Sequence, residues 1–205
     1  MAEKKLSKKA LNKSFRNWAY GNLTCFSQEH MQTFGYLCAM LPLVEELYDT
    51  KEEQKEAMNT YTAFFNTEPQ VGSIIVGITA GLEEAKANGN EDIDAEAING
   101  IRAGLMGPLA GIGDTISWST LMYLFIGLFL PLAKQGNPLG GIGPIVLLTV
   151  ICFGIGYFLT SKCYTFGYSF AENMLKSGLV NMIITGASIL GLFMMGGLAA
   201  TYVTV

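Results

Sequence analysis

The sequence predicts an all-α integral membrane protein, and three observations support that fold class. Half of the 205 residues are apolar, 24 are glycine and only 15% carry a charge, which is unlike the composition of a soluble enzyme. The charges are segregated, because residues 1–102 hold 25 of them and residues 103–205 hold five. Uncharged runs cover residues 115–133, 135–161 and 177–205. About 20 apolar residues cross a bilayer as a helix, so these runs predict spanning or re-entrant helices.

The same composition excludes several other classes of protein. A disordered tail would be poor in apolar residues, and a nucleic-acid binder would be strongly basic, whereas this chain has a formal net charge of −4. A secreted disulfide scaffold would place its cysteines at framework spacings, but the four cysteines here show no C-x-x-C pattern. We therefore expect free thiols that face a reducing compartment or lipid.

A basic cluster near the start predicts the orientation of the chain. Its members are Lys4, Lys5, Lys8, Lys9, Lys13 and Arg16. The positive-inside rule places such a cluster in the cytoplasm, and no continuous apolar run follows it to form a signal peptide. We expect residues 1–113 to form a mainly cytoplasm-facing or membrane-surface region of amphipathic helices. Residues 114–205 should then be the membrane-embedded helical region.

Capping residues predict where the first helices begin and end. Residues 51–65 have the pattern of an amphipathic surface helix. In the next helix Thr67 is a suitable cap, Pro69 falls in the first turn, and Gln70 can complete a capping box. This helix should end at residues 88–89, where Asn is followed by Gly.

The following segment predicts another helix, from about Asp94 toward Leu105, with carboxylates at its positive end. The preceding pair Glu83 and Glu84 points in two directions about 100° apart on a helix, so the two side chains cannot act on one atom. We expect this pair to lie at a solvated helix end.

A glycine-rich block, GLMGPLAGIGDT at residues 104–115, is the most informative part of the chain. Four glycines and a proline predict a backbone that departs from a plain helix and admits close approach of a ligand or another chain. Asp114 is the single acid of the block and has two possible roles, a functional one or a helix cap for Thr115 onward. No Lys follows the glycines and no strand precedes them, which disfavours a phosphate-binding loop.

Other side chains have simple structural explanations. Asn66 can end a helix, and Trp118 and Tyr123 suit a membrane interface or a packed bundle. His30 lies beside Glu29 without a nearby nucleophile or second metal ligand, so a polar surface role in a helical stretch is expected.

Small residues four apart predict close helix packing. Such pairs occur at Gly77–Gly81, Gly100–Gly104 and Gly107–Gly111, and we expect them to contact a partner or another part of this chain. The segment 194–197, Met-Met-Gly-Gly, predicts a further packing surface. Residues 131–144 contain several prolines and glycines that should interrupt the apolar helices, so some of these helices should be re-entrant. They are Pro131, Gly136, Pro138, Gly140, Gly141, Gly143 and Pro144.

Five blocks of the chain resemble one known family. The run from Ala97 to Asp114, AINGIRAGLMGPLAGIGD, is similar to the signature of the IID component of mannose-family (mannose/fructose/sorbose) sugar phosphotransferase system permeases. Four further blocks agree in the same order and lie within residues 29–48, 64–69, 82–89 and 186–193. The resemblance therefore covers nearly the whole chain.

The resemblance implies a membrane subunit of a phosphoenolpyruvate-dependent sugar permease in the bacterial inner membrane. Such a subunit works with a IIC membrane partner, in a larger hetero-oligomer within the lipid bilayer. It takes up a mannose-type hexose, which separate IIA and IIB proteins phosphorylate. The resemblance implies no cofactor, no metal, no nucleic acid, and no catalytic or phosphorylated residue on this chain. The alternative is a membrane scaffold or assembly subunit that transports nothing.

The resemblance also directs attention to candidate residues. Those for substrate binding or a subunit interface are Asn66, Gly107, Pro108, Gly111, Gly113 and Asp114. Members of this family continue to a terminal hydrophobic helix, so the sequence, which stops at Val205, is expected to lack that segment.

Overall fold

The computed structural model describes residues 3–177, and over that range it is helical. The helices are α1 (Lys8–Thr24), α2 (Thr33–Leu47), α3 (Lys51–Asn59), α4 (Pro69–Ala87), α5 (Ala95–Asp114), α6 (Met122–Lys134) and α7 (Leu139–Ser177). A 3-10 turn, Thr60–Thr62, follows α3, and a π-helical segment, Thr115–Leu121, joins α5 to α6. The expectations for residues 177–205, including the packing surface at residues 194–197, lie almost wholly outside the described residues.

The first half of the chain forms a helical body with its own core, which is built around α4. The body of α4 carries no charge before Glu83, and most of its side chains are buried, among them Ile75 and Val76. The indole of Trp18 from α1 packs edge-on against the rings of Tyr36 and Phe65. Burying each large apolar side chain contributes about 1.5–3 kcal/mol, so α4 is the central helix of this core.

Arg102 fastens the segment before α4 to α5. Its guanidinium is buried, donates to the carbonyl oxygen of Ala63 at 2.8 Å, and lies 5.1 Å from the ring centre of Tyr36. The rings of Tyr61 and Phe65 also face it, at 5.9 and 5.6 Å. Contact with aromatic faces stabilises a desolvated guanidinium and holds this segment in place.

Glycines allow α4 and α7 to cross closely. A Cβ on Gly77 would lie 2.5 Å from the carbonyl oxygen of Thr160, and one on Gly167 would lie 2.5 Å from that of Ile78. Side chains at either position would push the two helices apart. The predicted packing role of Gly77 is thereby confirmed, and its contact is with another part of this chain.

The second half forms a long helical hairpin. The helix Ala95–Lys134 is continuous through the π-helical segment, and a tight turn with Gly136 at φ 73° leads into α7. Gly140 faces Ala133 too closely for a side chain between the two arms. Ala95–Lys134 and Leu139–Gly167 are long and apolar enough to cross a membrane, with mean hydropathies of 1.7 and 2.3. Pro131 lies inside α6 and Pro144 inside α7, so neither proline breaks its helix. Of the helix breaks predicted for this region, the structure shows one, the turn at Gly136.

Two predicted helix ends are wrong. The helix predicted for residues 51–65 ends at Asn59, and the 3-10 turn follows because Arg102 draws the next residues toward α5. Thr67 does not cap α4, since it lies before the cap position and its hydroxyl donates to the carbonyl oxygen of Met106 at 3.2 Å. The cap is Glu68, whose carboxylate accepts from the N–H of Val71 at 2.7 Å. Pro69 occupies the first turn as predicted.

The expectation of a solvated Glu83–Glu84 pair is also wrong, because both side chains are buried. Glu83 accepts hydrogen bonds from the hydroxyls of Tyr48, at 2.6 Å, and Tyr61. Oε2 of Glu84 accepts from the N–H of Leu6 and from the hydroxyl of Tyr164, each at 2.6 Å. Donors from four different parts of the chain replace water around these carboxylates, and sequence spacing within one helix does not reveal them.

The glycine-rich block stays helical, contrary to expectation. Residues 104–114 belong to α5, and the irregular stretch comes later, in the π-helical segment. Asp114 has helical φ and ψ of −59° and −40°, and its side chain caps nothing. The reason is that a cap serves N–H groups that lack a helical partner, and a continuous helix supplies those partners. The helix predicted from Asp94 is confirmed at its start, where Asp94 accepts from the N–H of Ala97 at 2.7 Å.

Several smaller expectations can also be compared with the structure. Helix α4 ends at Ala87 with Asn88 as its C-cap, and Gly89 follows at φ 86°, as predicted. The four cysteines are free thiols. His30 lies in a turn and not in a helix, with its ring edge-on to Phe34.

Candidate functional site

The segment 65–68 places the carboxylate of Glu68 against α5. Oε1 of Gln32 accepts from the N–H of Thr67, and the N–H of Gln32 donates to the carbonyl oxygen of Phe65, both at 2.9 Å. The hydroxyl of Thr67 donates to the carbonyl oxygen of Met106 at 3.2 Å. Held between α2 and α5, this segment delivers Glu68 to the start of α4 in a fixed position.

Glu68 is a buried acid, and only one of its two carboxylate oxygens has a hydrogen-bond partner in the described part of the chain. Only 2% of the residue is exposed. Its Oε2 caps α4 through the N–H of Val71, while its Oε1 is buried and has no hydrogen-bond partner in the described part of the chain. A buried acceptor without a donor costs about 1–3 kcal/mol, so this oxygen is available to a donor from outside the chain.

The opposite wall is Gly113, one of the predicted site residues. A Cβ on Gly113 would lie 2.6 Å from Oε2 of Glu68 and 2.7 Å from its Cγ. Only a glycine therefore lets α5 pass over the carboxylate. Asp114 follows immediately and is exposed, and its negative charge acts on Glu68.

The surroundings of Glu68 favour its neutral form. Burial is the largest cause and raises the pKa of this carboxyl above its ordinary value, and the charge of Asp114 adds to the rise. The N–H of Val71 and the hydroxyl of Ser117 act in the opposite direction. In its protonated form a carboxyl can donate as well as accept a hydrogen bond.

An open cleft of about 150 Å³ lies beside this carboxylate, between the π-helical segment and α7. It is lined by Gln70, Ser117, Trp118, Leu148, Thr149, Cys152 and Phe153. Oε1 of Gln70 is a second buried oxygen without a partner among the described residues. A water-sized cavity of about 30 Å³ shares Gln70 and Cys152 with the cleft and reaches Trp18.

The chemistry of this cleft suits recognition of a polyhydroxyl ligand. The amide of Gln70 and the hydroxyls of Ser117 and Thr149 offer hydrogen bonds of both polarities, and the indole of Trp118 offers an apolar face. The buried carboxyl of Glu68 lies next to Ser117. No group of three or more His, Cys, Asp or Glu side chains that could hold a metal ion occurs among residues 3–177. A π-helical turn at the cleft is typical of functional positions in helices.

The other predicted site residues lie on the same helix or just before α4. Gly107 faces open space, since a Cβ there would meet nothing within 4 Å. Pro108 and Gly111 are partly buried within α5. Asn66 is exposed, and its N–H points to the sulfur of Met106 at 3.1 Å. Of the six predicted site residues, Gly113 and Asp114 adjoin the buried carboxylate.

Two lining residues of this cleft, Gln70 and Ser117, and the adjacent Glu68 were not among the predicted site residues. Glu68, Gln70 and Ser117 come together only when the start of α4 packs against the π-helical segment. One feature of the sequence could have indicated Glu68. It is an isolated acid directly before Pro69 and a charge-free apolar helix.

These features define a class: an all-α membrane protein with a helical hairpin and a cleft between the π-helical segment and α7. The family model for the "PTS system mannose/fructose/sorbose family IID component" matches residues 5–205. The chain belongs to that family.

Related proteins and a related structure agree with this assignment. The chain is 41% identical over 171 residues to the mannose-specific EIID component of Escherichia coli (strain K12), a match that covers 83% of this chain and 60% of that protein. It is 36% identical over 205 residues to the fructose permease IID component of Bacillus subtilis (strain 168), covering 99% and 73%.

A solved structure of the mannose transporter ManYZ in complex with microcin E492 has the same fold. The TM-score is 0.89 at 37% sequence identity, and the alignment covers 99% of this chain and 73% of that one. The chain spans about three fifths of the length of the mannose-specific relative from Escherichia coli.

Proposed function

We propose that this chain is the IID membrane subunit of a phosphoenolpyruvate-dependent sugar permease. It works with a IIC partner to take up a mannose-type hexose, and IIA and IIB proteins phosphorylate the sugar. The observation that carries the proposal is Oε1 of Glu68, which is buried close to an open cleft and has no hydrogen-bond partner among residues 3–177. A sugar hydroxyl entering past Gln70 and Ser117 would supply the missing donor.

The cleft supports shared recognition by two subunits. It is open on one side, and its volume of about 150 Å³ is small beside the roughly 300–1,000 Å³ of a complete ligand pocket. A IIC subunit covering that side would enlarge and close it. Asp114, exposed beside Gly113, would face the same interface and offer a second carboxylate.

The remaining candidates belong to the subunit interface in this proposal. Gly107 presents an open, side-chain-free surface, and Asn66, Pro108 and Gly111 lie near it along the chain. Close approach of a partner helix at such a surface needs small residues. Phosphoryl transfer is assigned to IIA and IIB in this proposal, and the histidine of this chain, His30, pairs at 4.0 Å with Glu29.

The proposed topology places residues 1–113 on the cytoplasmic side or the membrane surface and residues 114–205 in the inner membrane. Its support is the basic start of α1 and the burial of charged residues in the helical body. A cysteine placed at Asn59 or Asn90 in a variant lacking the native cysteines should escape a membrane-impermeant maleimide in intact cells. Labelling at either position before lysis would contradict this topology.

Sugar uptake and copurification test the function together. We would express the chain with a IIC partner in cells that lack their own mannose permease, and measure uptake of a labelled hexose and recovery of IIC on the tagged chain. Uptake that needs both subunits supports the proposal. Copurification without any dependence of uptake on this chain would favour the alternative, a non-transporting scaffold.

A further inference from the structure

One face of α1 carries two cations, Lys8 and Arg16, for which the described side chains offer no carboxylate partner. Lys8, Asn12 and Arg16 follow one another at intervals of four, so they share one helix face, and all three are exposed. Over the described range, no carboxylate lies within ion-pair distance of Lys8 or Arg16. By contrast, Lys13 pairs with Glu45 at 3.9 Å on another face of the same helix.

These cations line a groove between α1 and α7. A cavity of about 170 Å³ is enclosed by Lys8, Asn12 and Phe15 on one side and by Tyr157, Thr160 and Ser161 on the other. It adjoins a wider space of about 590 Å³ to which Lys9 and Arg16 contribute. The ring of Phe15 contacts that of Tyr157 with 5.6 Å between centroids, and this contact fixes the wall between the two helices.

The groove lies at the depth of lipid headgroups. The hairpin arm begins at Leu139, and at 1.5 Å per residue Tyr157 lies about 27 Å further along α7. This rise is close to the roughly 30 Å thickness of the hydrocarbon core. Ser161 and Lys162 end the uncharged run, so the membrane surface falls at the same level.

Apolar side chains continue from the groove toward the middle of the membrane. Phe153 and Tyr157 are 39% and 48% exposed, and Ile155 and Phe158 are exposed as well. A molecule with an anionic head and hydrocarbon chains would match both parts, with its head among the cations and its chains along α7.

We propose that this groove binds an anionic phospholipid of the inner leaflet, with phosphatidylglycerol-type chemistry. Lys8 and Arg16 pair with its phosphate, the amide of Asn12 and the hydroxyl of Ser161 hydrogen-bond the headgroup, and the acyl chains run beside Tyr157 and Phe153. The bound lipid joins the basic helix α1 to the membrane arm α7. The site rests on the cytoplasmic topology proposed above, because anionic lipid faces α1 only on that side.

Lipid binding can be measured on the purified full chain without sugar or a partner subunit. We would record native mass spectra and melting temperatures in a zwitterionic detergent with added phosphatidylglycerol, phosphatidylcholine or inorganic phosphate. The double variant K8Q/R16Q removes the two cations, and K51Q/K55Q removes two exposed cations from α3 as a matched control. Melting without lipid shows whether each variant is folded.

The expected result is retention of phosphatidylglycerol over phosphatidylcholine, with affinity about tenfold or more lower in K8Q/R16Q and unchanged in K51Q/K55Q. Equal binding of the two lipids, or equal loss in both variants, would overturn the site. Inorganic phosphate that displaces the lipid at low millimolar concentration would identify a free-anion site instead. Failure here with normal sugar uptake would leave the transport proposal standing, because the assay contains no sugar.

Discussion

Gly113 and Glu68 meet where α5 passes the start of α4, and the space between them admits no side chain. A Cβ on Gly113 would lie 2.6 Å from both the Cβ and Oε2 of Glu68. The glycine therefore fixes how closely the hairpin approaches the buried carboxylate. This relationship connects the glycine-rich block to the candidate site, and its consequences can be measured.

The first prediction concerns this contact. Gly113→Ala should destabilise the protein by about 1–3 kcal/mol, because a methyl group forces the helix and the carboxylate apart. Gly107→Ala is the matched control on the same helix, where a Cβ meets nothing within 4 Å. That change should be neutral or stabilising by up to about 1 kcal/mol. Thermal unfolding in detergent measures both, and equal effects would contradict the packing.

The second prediction is a pH dependence of stability. Because folding raises the pKa of Glu68, the folded state holds its proton at pH values where the unfolded state has lost it. Stability from this group is therefore retained below the unfolded pKa and lost as pH rises through the folded pKa. Glu68→Gln abolishes that loss while its amide oxygen can still cap α4.

Melting curves from pH 4 to pH 8 test whether the contribution of Glu68 to stability falls as the pH rises. The melting temperature of Glu68→Gln relative to the parent should increase as the pH rises. The exposed Glu56→Gln change is a control and should give a flat difference. A gain that shrinks as the pH rises would mean that Glu68 is stabilised in its charged form.

The third prediction addresses the buried Glu83. Tyr61→Phe removes a hydroxyl that donates to its carboxylate in the core, so unfolding should become easier by about 1–3 kcal/mol. Tyr20→Phe is a suitable control because Tyr20 is 65% exposed. Chemical denaturation of both variants gives the difference. If Tyr61→Phe is as stable as the control, the carboxylate does not depend on this donor.

The fourth prediction separates charge from structure at Asp114. Since its side chain caps nothing, both Asp114→Asn and Asp114→Ala should fold and assemble like the parent. Uptake should fall in both if the carboxylate faces the sugar or the partner. Western blots of membranes and uptake assays measure the two quantities. Lower abundance of Asp114→Ala alone would restore the capping role.

The sequence predicted the class of fold and much of the first half for physical reasons. Charge segregation and uncharged runs indicated the hairpin, and local capping rules located the C-terminal end of α4 and the start of α5. Such signals depend on neighbours within a few positions. The burial of Glu83 could not be predicted, because its donors Tyr48 and Tyr61 come from 35 and 22 residues away.

The candidate site shows the same limit. Gly113 was identified from the glycine-rich block, and Asp114 from its isolation as an acid. Glu68 was not predicted because its neighbour Ser117 lies 49 positions further along the chain. Without helix packing, Glu68 was only a residue between a proposed cap and a proline.

The central claim is that the cleft beside Glu68 contacts the sugar, and equilibrium binding tests it most directly. We would measure affinity for a labelled mannose analogue in the purified complex with a IIC partner, comparing the parent with Glu68→Gln, Gln70→Leu and the exposed control Glu56→Gln. The account predicts affinity roughly tenfold or more weaker for the first two and unchanged for the control. Parent-like affinity in both Glu68→Gln and Gln70→Leu, with the complex intact, would contradict it.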